Sequence, residues 1–135
     1  MRTKFNKQKR DELINGKFSI PDNFKSVQQV AFFAAYHYWN DMKVALAKTQ
    51  IDSVSDTLIA KYLAKEMNVS YSMIYFARKM LRSPDAEWVY DYICKHNNII
   101  PYMQFQTIGR QKDQNVVNQV CHHMKEVYNR KKVGA

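Results

Sequence analysis

Five residues of metal-binding type, Cys94, His96, Cys121, His122 and His123, fall in two short stretches of the chain. A zinc centre needs ligands that converge from one turn or one helix face. Cys94-x-His96 and the run Cys121-His122-His123 match neither C-x2-C nor H-x3-H spacing. Adjacent helical residues diverge by about 100°, so only one of His122 and His123 can share a face with a given partner. The cysteines read as small buried hydrophobes, and no metal is expected. Asp85, Glu87 and Asp91 form the acidic cluster, with Glu87 and Asp91 one helical turn apart. Such a pair can act as acid and base. Asp85 and Glu87 also suit the first turn of a helix, where negative charge meets the positive end of the dipole. His37 stands among Tyr36, Tyr38 and Trp39 with no recognisable nucleophile beside it, and reads as a core or boundary histidine rather than a general base. No catalytic residue is assigned and no cofactor is expected; the chain does not read as an enzyme.

The elements that would hold these residues follow from composition and period. With 135 residues, 46% of them hydrophobic, the chain can build one domain with a core. Three glycines (Gly16, Gly109, Gly134) and three prolines (Pro21, Pro84, Pro101) are too few turn residues for many short strands, which excludes an all-β fold. The same shortage leaves no glycine-rich loop of either nucleotide-binding pattern. A net charge of +9 points to a polyanionic partner, nucleic acid ahead of a membrane surface. The longest uncharged stretch, Ser26 to Asn40, is shorter than a bilayer span, so no membrane association through a spanning helix is expected. The basic opening runs into polar residues rather than a signal-peptide apolar core. Cys94 and Cys121 are too few for a disulfide framework, and the chain reads as cytoplasmic.

A long helix is expected from Ser26 towards Gln50, apolar on most of its circumference and therefore the hub of the fold. Another should start at Ser83-Pro84-Asp85, with Ser83 as N-cap and Trp88, Val89, Tyr92 and Ile93 on its buried face. Ile99 to Gly109 loses helical period and partly alternates, with Pro101 as a breaker, and reads as an ordered loop or a short strand. A last helix, Gln114 to Arg130, carries Val116, Val117, Val120, Cys121, Met124, Val127 and Tyr128 on one stripe. That stripe would pack on the hub or on a second copy, which makes a homodimer surface. The expected fold is all-α, a single helical domain of five or six helices with basic, mobile ends: a basic arm over 1–25, the domain over 26–130, and a basic tail over 131–135.

Residues 59–81 carry one motif with a mechanism. Ala64 is small where two helices would cross. Asn68, four residues on, tolerates left-handed backbone. Val69 and Ser70 then supply an apolar residue and a helix-starting hydroxyl, and Ile74 and Ala77 an inward face for the second helix. Leu63 and Met67 fill the inward face of the first. This pattern resembles the helix-turn-helix of DNA-binding proteins. The resemblance implies that the second helix enters the major groove while the first crosses the backbone. On that reading Tyr71, Ser72, Tyr75, Phe76 and Lys79 face the groove with Arg78 on the flank, and Lys61, Lys65 and Ser70 contact phosphates.

The outward positions hold tyrosine and phenylalanine where Arg, Asn and Gln are usual, which favours apolar contact with thymine methyls over hydrogen-bonded base readout. An arm with Arg2, Lys4, Lys7, Lys9 and Arg10 can neutralise further phosphates, as can Arg130, Lys131 and Lys132 at the other end. The function implied is that of a small double-stranded DNA-binding protein. Regulators of transcription are the commonest use of the motif. Phage or mobile-element factors, such as terminase small subunits and replication organisers, are also built on it. The alternative is a helical adaptor that binds a polymerase, nuclease or other protein through Tyr71, Tyr75 and Phe76. RNA bound by the same aromatics and lysines is a third reading.

Overall fold

Serine hydroxyls start three of the helices. Ser26 and Gln29 close a reciprocal capping box at the start of α1, Val27–His37. After Tyr38 the chain continues as α2, Trp39–Ala47. Ser55 Oγ accepts the Leu58 amide at the start of α3, Asp56–Met67, and Ser70 Oγ accepts the Met73 amide at the start of α4, Tyr71–Leu81. Next come α5, Ala86–Tyr90, a π-helical turn over Asp91–Lys95, α6, Tyr102–Arg110, and α7, Gln114–Gly134. This computed structural model describes residues 18–24, 26–48 and 54–134. The chain is a single all-α domain, with seven α-helices and no strand among the described residues.

Four expectations need correction. The long helix of 26–50 is two helices, interrupted at Tyr38, where the backbone is distorted to φ −112° and ψ 0°. There the Tyr38 hydroxyl donates to the Ser19 carbonyl at 2.7 Å while His37 Nε2 lies 2.7 Å from the Tyr90 hydroxyl, so neighbouring side chains are drawn to different partners. Residues 102–110 are helix, not loop or strand, and Pro101 stands immediately before their first turn instead of ending a preceding element. The helix after Leu81 begins at Ala86. Ser83 does not cap it, because its hydroxyl is buried and donates to the Met80 carbonyl at 2.8 Å. Finally, the helices number seven against an expected five or six, a difference made by the break at Tyr38 and the helix over 102–110.

The core is a continuous apolar cluster through these elements. Ala31, Phe32, Ala34 and Ala35 from α1 meet Ile59, Ala60 and Leu63 from α3 and Ile74, Ala77 and Met80 from α4, all at or below 1% exposed. Truncating a side chain such as Phe32 to alanine in such a site costs about 3–5 kcal/mol. The expected apolar stretch of α1 and α2 is buried, yet the hub is shared. It is α4 that packs on α1, α3, α5, α6 and α7. Val117, Cys121 and Met124 of α7 are buried against the body, so that part of its stripe serves the domain itself. Trp88, Tyr92 and Tyr128 form a run of stacked rings at its edge, with neighbouring centroids 5.0 and 5.1 Å apart.

Candidate nucleic-acid interface

The turn between α3 and α4 follows from one residue. Asn68 takes φ 56° and ψ 45°, the left-handed region that asparagine enters at less cost than other non-glycine residues. Its amide and that of Val69 return to carbonyls of the last turn of α3, at Lys65 and Ala64. Val69 is half-buried against the core, and Ser70 restarts the helix. Ala64, only 7% exposed, lies on the inward side of α3 with Leu63 and Met67. Thr57, Lys61, Lys65 and Asn68 line the exposed side of α3 and lead directly into the turn.

On α4 the residues expected to face outward divide into two sets. Ser70, Tyr71 and Ser72 are exposed, and Tyr75 is half-buried with its ring stacked on Tyr71 at 5.7 Å between centroids. Phe76, Arg78 and Lys79 are instead engaged by other helices. Phe76 stacks on Phe105 of α6, with centroids 6.0 Å apart, and its ring lies where a Cβ on Gly109 would stand. Lys79 Nζ donates to the carbonyls of Gln111 at 3.1 Å and Gly109 at 3.4 Å, and stands 5.0 Å from the centre of the Tyr75 ring. Burial lowers the pKa of this ammonium.

Arg78 places its guanidinium 4.6 Å over the Trp39 ring of α2, and its Nε is buried with no hydrogen-bond partner among the described residues. Burial lowers its pKa, the charge of Arg82 adds to that, and Asp56 opposes it. Arg82 in turn reaches Asp56 Oδ2 at 2.6 Å, tying the end of α4 to the start of α3. The basic arm, Arg2, Lys4, Lys7, Lys9 and Arg10, lies outside the described residues, as do the side chains of Arg130, Lys131 and Lys132.

Sequence reasoning missed α6 and with it the cover over Phe76 and Lys79. The pair Phe105 and Ile108, both buried and one turn apart, is the local signal for it. Between α6 and the front of α4 a groove of about 670 Å³ opens, with Met73, Phe76, Ile100 and Phe105 among its walls and Gln106 and Arg110 on the α6 side.

Of the other chemistry-bearing residues, Asp85 and His122 are brought together. Asp85 pairs with Lys125 at 3.3 Å and with His122 Nδ1 at 3.4 Å, while His122 Nε2 meets Glu126 at 2.8 Å. Asp91 pairs with Lys95 at 3.2 Å. Both cysteines are free and buried; burial first, then the nearby carboxylate of Asp91, pushes the Cys94 thiol up to about 12. Cys121 rises to about 11, chiefly by burial and further by Asp85, against a hydrogen bond with Ser83. The Tyr90 phenol beside His37 is pushed up to about 12, mainly by burial. No group of three or more His, Cys, Asp or Glu side chains is arranged to hold a metal ion among the described residues, and none of the described helices is long and apolar enough to cross a membrane.

Comparison of the chain with protein-family models, with curated protein sequences and with solved structures gives no match.

Proposed function

We propose that the protein binds double-stranded DNA, with α3 and α4 acting as a helix-turn-helix. The observation that carries this reading is the left-handed Asn68 turn. It leads from a helix face bearing Lys61 and Lys65 into a helix whose first residues, Ser70, Tyr71 and Ser72, are exposed. Helices of this motif contact base edges mainly through their amino-terminal residues, so the engagement of Phe76, Arg78 and Lys79 elsewhere in the fold is compatible with it. Tyr71, Ser72 and Tyr75 would meet the groove. Lys61, Lys65 and Ser70 would meet phosphates. The aromatic pair favours apolar contact with thymine methyls over a hydrogen-bonded code, and affinity would come chiefly from charge.

Regulation of transcription, or DNA handling by a phage or mobile element, is the class of use proposed. The test is fluorescence anisotropy of a labelled mixed-sequence duplex at two salt concentrations. The proteins compared are the wild type, Lys61→Glu with Lys65→Glu, and Tyr71→Ala with Tyr75→Ala. Binding is expected to weaken with salt. The lysine variant should show a salt slope smaller by about 0.9 for each phosphate it no longer neutralises, and the tyrosine variant should bind more weakly. Absence of salt-dependent binding, or equal binding by all three folded proteins, would overturn the proposal. Loss of a protein partner by the tyrosine variant, with no DNA binding by any form, would establish the adaptor reading. Stronger binding to single-stranded RNA than to the duplex would establish the third.

A further inference from the structure

The groove between α4 and α6 is held open from both ends. At one end Gly109 is pressed on the Phe76 ring while Lys79 Nζ donates to the Gly109 and Gln111 carbonyls, which clamps the close of α6 to α4. At the other end the Gln28 side chain clasps the backbone of Ile100. Its Nε2 donates to the Ile100 carbonyl at 2.9 Å, and its Oε1 accepts the Ile100 amide at 2.8 Å. The walls between these clamps enclose about 670 Å³, within the range of small-molecule pockets. Their lining is largely apolar, and no aspartate or glutamate stands among the described residues that form it. Among the described residues that line the groove, the one charged residue is Arg110. It is exposed in the last turn of α6 and makes no ion pair among the described residues.

We infer that this groove is a binding site for a small amphipathic anion, an aromatic carboxylate whose ring body lies against Phe76, Phe105, Met73 and Ile100 and whose acid group meets Arg110. An apolar floor with one unopposed guanidinium at its edge selects that chemistry. The floor takes area from water, and the guanidinium fork matches a carboxylate in two parallel hydrogen bonds. A cation would meet Arg110 with no carboxylate to offset it. A neutral ring of the same shape would gain the floor alone. The site borders the proposed DNA-contacting face, sharing Ser70 and Ser72 with it, but its ligand requires no nucleic acid.

The test is a titration of the full chain, followed by amide chemical shifts, with naphthalene-2-carboxylate and with neutral naphthalene-2-methanol. Saturable one-to-one binding of the acid is expected, with shifts centred on Met73, Phe76, Ile100 and Phe105. The neutral ring should bind at least roughly tenfold more weakly, for want of the charge-assisted hydrogen bonds to Arg110. Arg110→Gln, at an exposed position, should reduce the acid to the affinity of the neutral ring and leave the neutral ring unchanged. Ser72→Trp, which fills the mouth, should abolish both, with thermal melts confirming that each variant is folded. Unsaturable binding, shifts centred elsewhere, or an acid affinity indifferent to Arg110→Gln would overturn the site. None of these readouts contains DNA, so the site and the DNA reading stand or fall separately.

Discussion

Gly109 of α6 lies so close to Phe76 of α4 that a side chain of even one carbon would enter the phenyl ring. The ring cannot readily withdraw, because its other neighbour is Phe105, stacked on it at 6.0 Å. Gly109→Ala should therefore destabilise the protein by about 1–3 kcal/mol, although alanine is the better helix former by about 1 kcal/mol. In a Phe76→Leu background the clash is relieved and the same change should become neutral or stabilising. Urea unfolding of the four proteins of this cycle measures the difference; an equal effect in both backgrounds would remove the contact from the explanation.

The left-handed turn makes a second prediction. Asn68→Gly should leave stability unchanged or raise it slightly, since glycine adopts φ 56° without strain. Asn68→Ala should cost about 1 kcal/mol and Asn68→Val more. Denaturation midpoints in that order are the expected outcome, and a midpoint for valine equal to that of asparagine would contradict it.

Arg78 contributes through its stem and its stacking more than through ion pairing. Its Nε has no hydrogen-bond partner among the described residues, and its guanidinium covers Trp39. Arg78→Met keeps the length and the apolar cover, and should cost less than about 1 kcal/mol. Arg78→Ala opens the ring to water and should cost about 1–3 kcal/mol, with a red shift in tryptophan emission from Trp39. Equal losses for both variants would show that the charge carries the contact.

The thiols set an alkaline limit. Cys94 and Cys121 ionise near 9.0 when exposed, but only at about 12 and about 11 in the folded chain. Above pH 9 the unfolded chain thus holds fewer protons than the native one. The stability contributed by the neutral thiols is complete below that pH and declines as pH rises through 11 and towards 12. Urea midpoints at about pH 8 and about pH 10.5 should fall for the wild type, and fall less for a Cys94→Ala, Cys121→Ala variant. At about pH 8 a thiol reagent should modify the native protein far more slowly than the urea-unfolded one.

What could be read in the sequence was what short spacing determines. The turn at Asn68 is visible because a small residue, a left-handed residue and a capping serine stand at fixed intervals within ten positions of one another, and each acts on its own neighbourhood. The start of the first helix at Ser26 is legible for the same reason. The helix over 102–110 was hidden by Pro101 and by a run too short for its period to stand out; its stability comes from Phe105 and Ile108 entering a core built by other elements. The fates of Phe76 and Lys79 were equally hidden, since both depend on Gly109 and Gln111, some thirty positions away. An exposed and a covered face of α4 look alike in sequence when the cover is aromatic on both sides.

Because α4 is packed against α1, α3, α5, α6 and α7, its inheritance is constrained in an uneven way. Changes at Ile74, Ala77 or Met80 disturb several neighbours at once and would be removed by selection for a folded chain. Changes at Tyr71 and Ser72 meet solvent and are nearly free of that penalty. Descendants of this sequence can therefore diversify what α4 presents to the outside through its first turn, while the rest of the helix stays fixed by its neighbours.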